Sequence, residues 1–98
     1  MAKKRGTTVE VDGISVTVTL DPANDYELIE CATIAGDPAR TVEEQNRAYV
    51  RRVRLILGAD HDRVMRELRA AHGGELSPAT VADFVARLTA QVPAAKNS

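Results

Sequence analysis

Three groups of side chains in this sequence have the types that chemistry uses: Asp60-His61-Asp62, the single Cys31, and arginines at 47, 51, 52, 54, 63, 66 and 69. Carboxylates beside an imidazole are metal-ligand types, but three consecutive residues at a helix start point in different directions. The second histidine, His72, stands three turns further along the same predicted helix, and no other Cys or His-Asp group lies at ligand spacing. Acidic residues in a first helical turn, favoured by the helix dipole, account for the cluster. A nucleophilic Cys31 would need a base and an oxyanion donor, and no motif around it supplies either, so it reads as a structural thiol. Gly73-Gly74 follows a helix rather than a strand and is no phosphate cradle, while Ser77-Pro78 is explained by helix capping. No metal, no cofactor and no enzymatic activity are expected.

The arginines need a separate argument, because guanidinium groups at helical spacing can track phosphates. Glu43, Glu44, Asp60, Asp62 and Glu67 are interleaved with them, no aromatic stacking pair accompanies them, and no nucleic-acid-reading motif is present. A mixed-sign helix surface of this kind reads as solvated and laced with salt bridges. Thirteen basic against 14 acidic residues leave a formal charge of −1, so the whole chain has no field that would gather nucleic acid or anionic membrane. A small nucleic-acid-binding regulator using the arginine face stays open as an alternative.

The elements that must position these groups follow from periodicity. Thr41 to Gly58 is the longest clean helical run, with Val42, Tyr49, Val53, Ile56 and Leu57 on one face, Val50 at its margin, and charged residues, Arg52 among them, opposite. Thr41 and Glu44 form a capping box and Gly58 supplies a left-handed stop. Before it, Thr7–Val11 and Ile14–Leu20 alternate around Asp12-Gly13, the strongest short hairpin signal, with Val11 facing Ile14, Val9 facing Val16 and Thr7 facing Val18. A hairpin alone is marginal and needs a covering helix, for which the central helix is the expected candidate. Further helices are predicted near 24–35, begun by Asn24 and Glu27; near 60–72, with Val64, Leu68 and Ala71 on one stripe beside Met65 and His72; and near 78–92. The last of these is capped by Ser77, has Val81, Phe84, Val85, Leu88 and Val92 as its stripe, and is stopped by Pro93.

The expectation is therefore α+β: an N-terminal β-hairpin packed on a small bundle of about four α-helices, in one domain over 7–92, with a loose arm at 1–6 and a disordered tail at 93–98. A hydrophobic fraction of 44% with one Phe, two Tyr and no Trp implies a thin aliphatic core, which raises the expectation of a homo-oligomer or a stabilising partner. No apolar run has the length of a membrane span or signal-peptide core, and a lone cysteine forms no internal disulfide, so a cytoplasmic location is expected.

Several strings together resemble the small tail assembly chaperones of long-tailed bacteriophages and prophages, in particular those of high-GC Gram-positive, actinobacterial hosts. They are the short strand pair, the helix start Asp25-Tyr26-Glu27-Leu28, the Leu55-Ile56-Leu57-Gly58 ending, a polar helix closed by Gly73-Gly74, and Leu76-Ser77-Pro78-Ala79-Thr80-Val81-Ala82-Asp83-Phe84. The resemblance covers about residues 14–92; where that family usually has an acidic-Trp or similar aromatic pair, this chain has Tyr26. It implies a non-enzymatic role in the host cytoplasm, absent from finished virions: binding the long tape measure protein, keeping its apolar helices soluble, and helping to recruit tail tube protein. It also implies a longer form made by frameshifting, for which Ala95-Lys96-Asn97 permits a slippery codon run. Val50, Leu55 and Met65 are the candidate partner-binding residues, apolar groups at the rim of the core, with Leu55 falling on the charged side of the central helix. A structural head-tail component of the phage stays open beside this reading.

Overall fold

A computed structural model describes residues 6–96, so all but the last residue of the expected arm, and Asn97 and Ser98 of the expected tail, lie outside the described residues. The chain runs β1 (Thr7–Val11), β2 (Ile14–Val18), α1 (Tyr26–Ala35), α2 (Val42–Leu57), a 3-10 turn (Gly58–Asp60), α3 (His61–Ala71) and α4 (Pro78–Lys96). The class is α+β, with a two-stranded antiparallel hairpin as its sheet. By its internal contacts the chain divides into two compact units. One comprises the hairpin through Thr19 with the chain from Leu57 onward, and the other is Leu20–Ile56.

In the first unit Asp12 and Gly13 both take positive φ, 52° and 80°, the conformation a tight turn between right-twisted strands requires. Strand pairing has the register read from the alternation, with Val11 opposite Ile14, Val9 opposite Val16 and Thr7 opposite Val18. Val9, Val11, Ile14, Val16 and Val18 are buried, while Ser15, Thr17 and Thr19 face water. The cover over this face is α4, lying along β1, with α3 and the 3-10 turn against β2; the expected cover, the central helix, belongs to the other unit. The stripe Val81, Phe84, Val85, Leu88 and Val92 is buried and rises about 16 Å, which matches the span of a five-residue strand.

Local chemistry fixes the ends. Ser77 Oγ accepts the Thr80 N–H at 3.1 Å, and Pro78 opens α4 where its missing N–H costs nothing. Pro93 does not stop α4, which continues through it to Lys96. A proline's fixed φ is itself helical, and Ala94, Ala95 and Lys96 are strong helix formers, so the last turn forms despite the lost bond. In α3, Val64 and Leu68 are buried, but Ala71 and His72, expected on or beside the same stripe, are exposed at the fraying end before Gly73-Gly74.

The second unit is an α-hairpin. Asp25, not Asn24, caps α1 by accepting the Leu28 N–H, because Asn24 is used in a turn where its side-chain amide donates to Asp21. The capping box on α2 forms as read: Glu44 Oε1 accepts the Thr41 N–H at 3.0 Å and Thr41 Oγ1 accepts the Glu44 N–H at 3.1 Å. The loop between the helices is tied by Gln45, whose amide donates to the Asp37 carbonyl at 2.7 Å. On α2, Val53, Ile56 and Leu57 are buried as expected, while Val42 is 69% exposed because it occupies the first turn, beyond the reach of any packed neighbour. Ala48, on the side of α2 that faces α1, is buried as well. Arg52 is half-buried rather than solvated, its Nε enclosed without a hydrogen-bond partner, as when a long side chain lays its stem on apolar surface.

Candidate partner-binding groove

An open groove of about 850 Å³ lies between the side chains of α1 and α2. Its apolar lining comes from Cys31 and Ile34 of α1 and from Ala48, Val50 and Leu55 of α2. The helical period explains why α2 has a second usable side: Val53 and Ile56 face one way, and Leu55 projects among the charged residues of the opposite face. The structure thus brings together two of the three candidate residues. Val50 is 49% exposed and Leu55 half-buried, both in the groove; Met65 is half-buried on α3 in the other unit and has no part in it.

The rim is charged. Glu27 accepts a hydrogen bond from Arg51 and ties the two helices together across the groove, and the bond holds the Arg51 guanidinium above its ordinary pKa. Arg40 pairs with Asp37 at 3.6 Å and with Glu44 at 3.3 Å. Glu44 is kept below the usual carboxylate range, first by the Thr41 backbone N–H and then by its hydroxyl. Arg47 and Arg54 line the same groove and are exposed, with no ion pair to either among the described residues. Cys31 is buried, lines the groove, forms no disulfide and lies within reach of the Arg51 guanidinium.

The residues first considered for chemistry are placed differently. Asp60 does not cap α3: its Oδ2 accepts the Thr17 N–H of β2 at 3.0 Å and its Oδ1 pairs with Arg63 at 3.3 Å. The Thr17 N–H is the main cause of its depressed pKa. His61 Nδ1 meets Asp62 Oδ1 at 2.9 Å. Arg63 also reaches Glu67 at 2.7 Å and donates to the Ser15 carbonyl at 2.5 Å. These groups are structural ties between α3 and the hairpin, and among the described residues no cluster of His, Cys, Asp or Glu could hold a metal ion. A second, smaller pocket of about 270 Å³ lies by Asp12, His72 and Phe84, where Arg87 holds Asp12 at 2.7 Å and Asp83 at 2.9 Å. Its two carboxylates are both engaged by Arg87.

Sequence reasoning missed Ile34 and Cys31 as groove residues. Their signal was present: Cys31 and Ile34 are three apart on α1, one turn of a single face. No helix among the described residues is long and apolar enough to cross a membrane. No protein-family model matches the chain, and no curated protein and no solved structure matches it.

Proposed function

We propose that this chain is a helix-binding protein that uses the α1–α2 groove to cover apolar surface on a partner, and that it works as a phage tail assembly chaperone for the tape measure protein. The observation that carries the binding reading is the distribution of exposed apolar surface. Tyr26, Ile29, Val42 and Val50, the large apolar side chains that stand exposed among the described residues, all belong to Leu20–Ile56. Apolar groups concentrated in one region mark an interaction surface, whereas scattered ones do not. The partner's identity rests on the sequence resemblance. Short aliphatic grooves with charged rims suit amphipathic helices, and many weak copies along a long partner gain avidity.

Co-expression with a tape measure segment tests it. Light scattering should show suppressed aggregation, and Leu55→Lys should weaken suppression more than it lowers thermal stability. Unchanged scattering with the wild-type chain would remove the chaperone reading.

A further inference from the structure

We infer that the groove selects an acidic amphipathic helix, one carrying two carboxylates seven residues apart with an apolar stripe between them, so that the carboxylates meet Arg47 and Arg54. The inference rests on the groove as the binding site and adds the chemistry of the occupant. Of the arginines lining the groove, Arg40 is matched by Asp37 and Glu44, and Arg51 by Glu27. Arg47 and Arg54 are the arginines without an ion pair among the described residues; Glu30, unpaired on the α1 side of the same groove, offsets one of them, so the unmatched charge is net positive and lies on α2. Seven residues of helix carry them about 10.5 Å apart and bring them back within about 20° of the same direction. Val50 lies between them, and Leu55 beside Arg54 completes the apolar contact.

That spacing decides the conformation of the occupant. A partner helix laid along α2 repeats it with its own residues seven apart and keeps both carboxylates on the side of its apolar stripe. An extended strand would cover about 10 Å in three residues, and residues three apart on a strand face opposite ways, so it could not offer both carboxylates to one groove. Nucleic acid fits less well. The groove's apolar lining is aliphatic and thiol, with no aromatic ring on which a base could stack. A second copy of the chain fits less well too, because each of its acid pairs at this spacing has a member already held: Asp60 and Glu67 by Arg63, and Asp37, shared by the pairs with Glu30 and Glu44, by Arg40.

Two labelled helical peptides test this by fluorescence anisotropy on the full chain. Both have leucines at helical i, i+3, i+4 and i+7 spacing; one has glutamates seven residues apart beside the stripe and the other has lysines there. The acidic peptide should bind about tenfold more tightly, as two exposed ion pairs replacing two repulsions imply, and the advantage should shrink at high salt. Arg47→Glu with Arg54→Glu should reverse the preference; both positions are exposed, and circular dichroism checks that the variant is folded. Equal affinity for the two peptides would overturn the charge selection while leaving the groove reading intact. Acidic-peptide binding untouched by Val50→Lys would overturn the groove itself. Displacement of the acidic peptide by a 20-base-pair DNA duplex, or a dimer in sedimentation that Val50→Lys dissociates, would assign the groove to another occupant and overturn the proposal.

Discussion

The hairpin unit and the α1–α2 unit spend their apolar residues in opposite ways. In the first, the inward valines of both strands meet the stripes of α3 and α4, and Val9, Val16, Val64, Phe84 and Leu88 are all buried. In the second, Leu28, Cys31 and Ala48 are buried, but Tyr26 is 77% exposed and Ile29, Val42 and Val50 stand with it in solvent. The first unit joins charged side chains across long stretches of sequence, Asp12 to Arg87 and Arg63 to the Ser15 carbonyl, while the second leaves Arg47 and Arg54 unmatched beside its groove. One unit leaves no large apolar side chain exposed among the described residues. The other has exposed apolar surface and unmatched charge in one unit, and at Val50, Arg47 and Arg54 the two meet in one groove, as in a surface awaiting a partner rather than a core.

The contrast can be broken most sharply inside α2, where Val53 and Val50 are three residues apart. Val53→Asp should abolish folding, since an unpaired carboxylate in the core costs several kcal/mol, comparable with the stability of a small domain. Val50→Asp should change stability by no more than about 0.5 kcal/mol. Urea denaturation of both variants checks the pair, and equal midpoints would erase the distinction between core and groove faces. In the hairpin unit, Gly13→Val should cost about 1–2 kcal/mol, because a β-branched residue is forced to a φ of 80°, with no steric contact to blame since a Cβ there meets nothing within 4 Å. Thermal melts read the loss, and Gly13→Asn should recover part of it.

The smallest effect is with acid. Asp12, held low chiefly by its hydrogen bond from Arg87, and Asp60, held low chiefly by the Thr17 N–H, serve the hairpin unit, and Glu44 serves the α1–α2 unit. Each has a folded pKa below its unfolded one, so its stabilisation is complete above the ordinary values of 3.8 and 4.5 and is lost as pH falls through the depressed value. Melting temperature should therefore fall as pH is lowered from about 5 to 2, and Asp60→Asn should flatten that slope more than Glu30→Gln, because Glu30 serves neither cap nor strand.

Much of the fold was legible because short-range chemistry determined it. Asp12-Gly13 with alternating valines admits one register, and Thr41/Glu44 and Ser77/Pro78 state their helix starts outright. What escaped were matters of tertiary choice. Periodicity gives α2 an apolar face but does not say that α4 is the helix that meets the hairpin. It places Val42 on that face but does not register that a first-turn residue lies past the packed region. Pro93 was read by its local penalty, which the helix formers after it outweigh. For the groove, Leu55 was noticeable as an aliphatic residue on a charged face, and Val50 as a marginal one. Ile34 and Cys31 could not be joined to them, since that takes the antiparallel return of α1 along α2, which the Glu27–Arg51 tie records.

Asp60 and Arg63 have a consequence beyond holding α3 in place. A two-stranded sheet has two open edges, and each is a row of backbone donors and acceptors on which another chain can add a strand. On the outer side of β2 the Thr17 N–H is taken by Asp60 and the Ser15 carbonyl by Arg63. Side chains from a neighbouring helix thus stopper the edge at consecutive outward positions, doing what lysines or prolines do on other edge strands. The device responds to acid: protonating Asp60 removes the charge that strengthens its hold on the Thr17 N–H and on Arg63, and a loosened stopper exposes the edge of the valine-rich hairpin to edge-to-edge growth. Acid should accordingly promote aggregation before the fold is lost outright, with β2 as the first strand to be recruited.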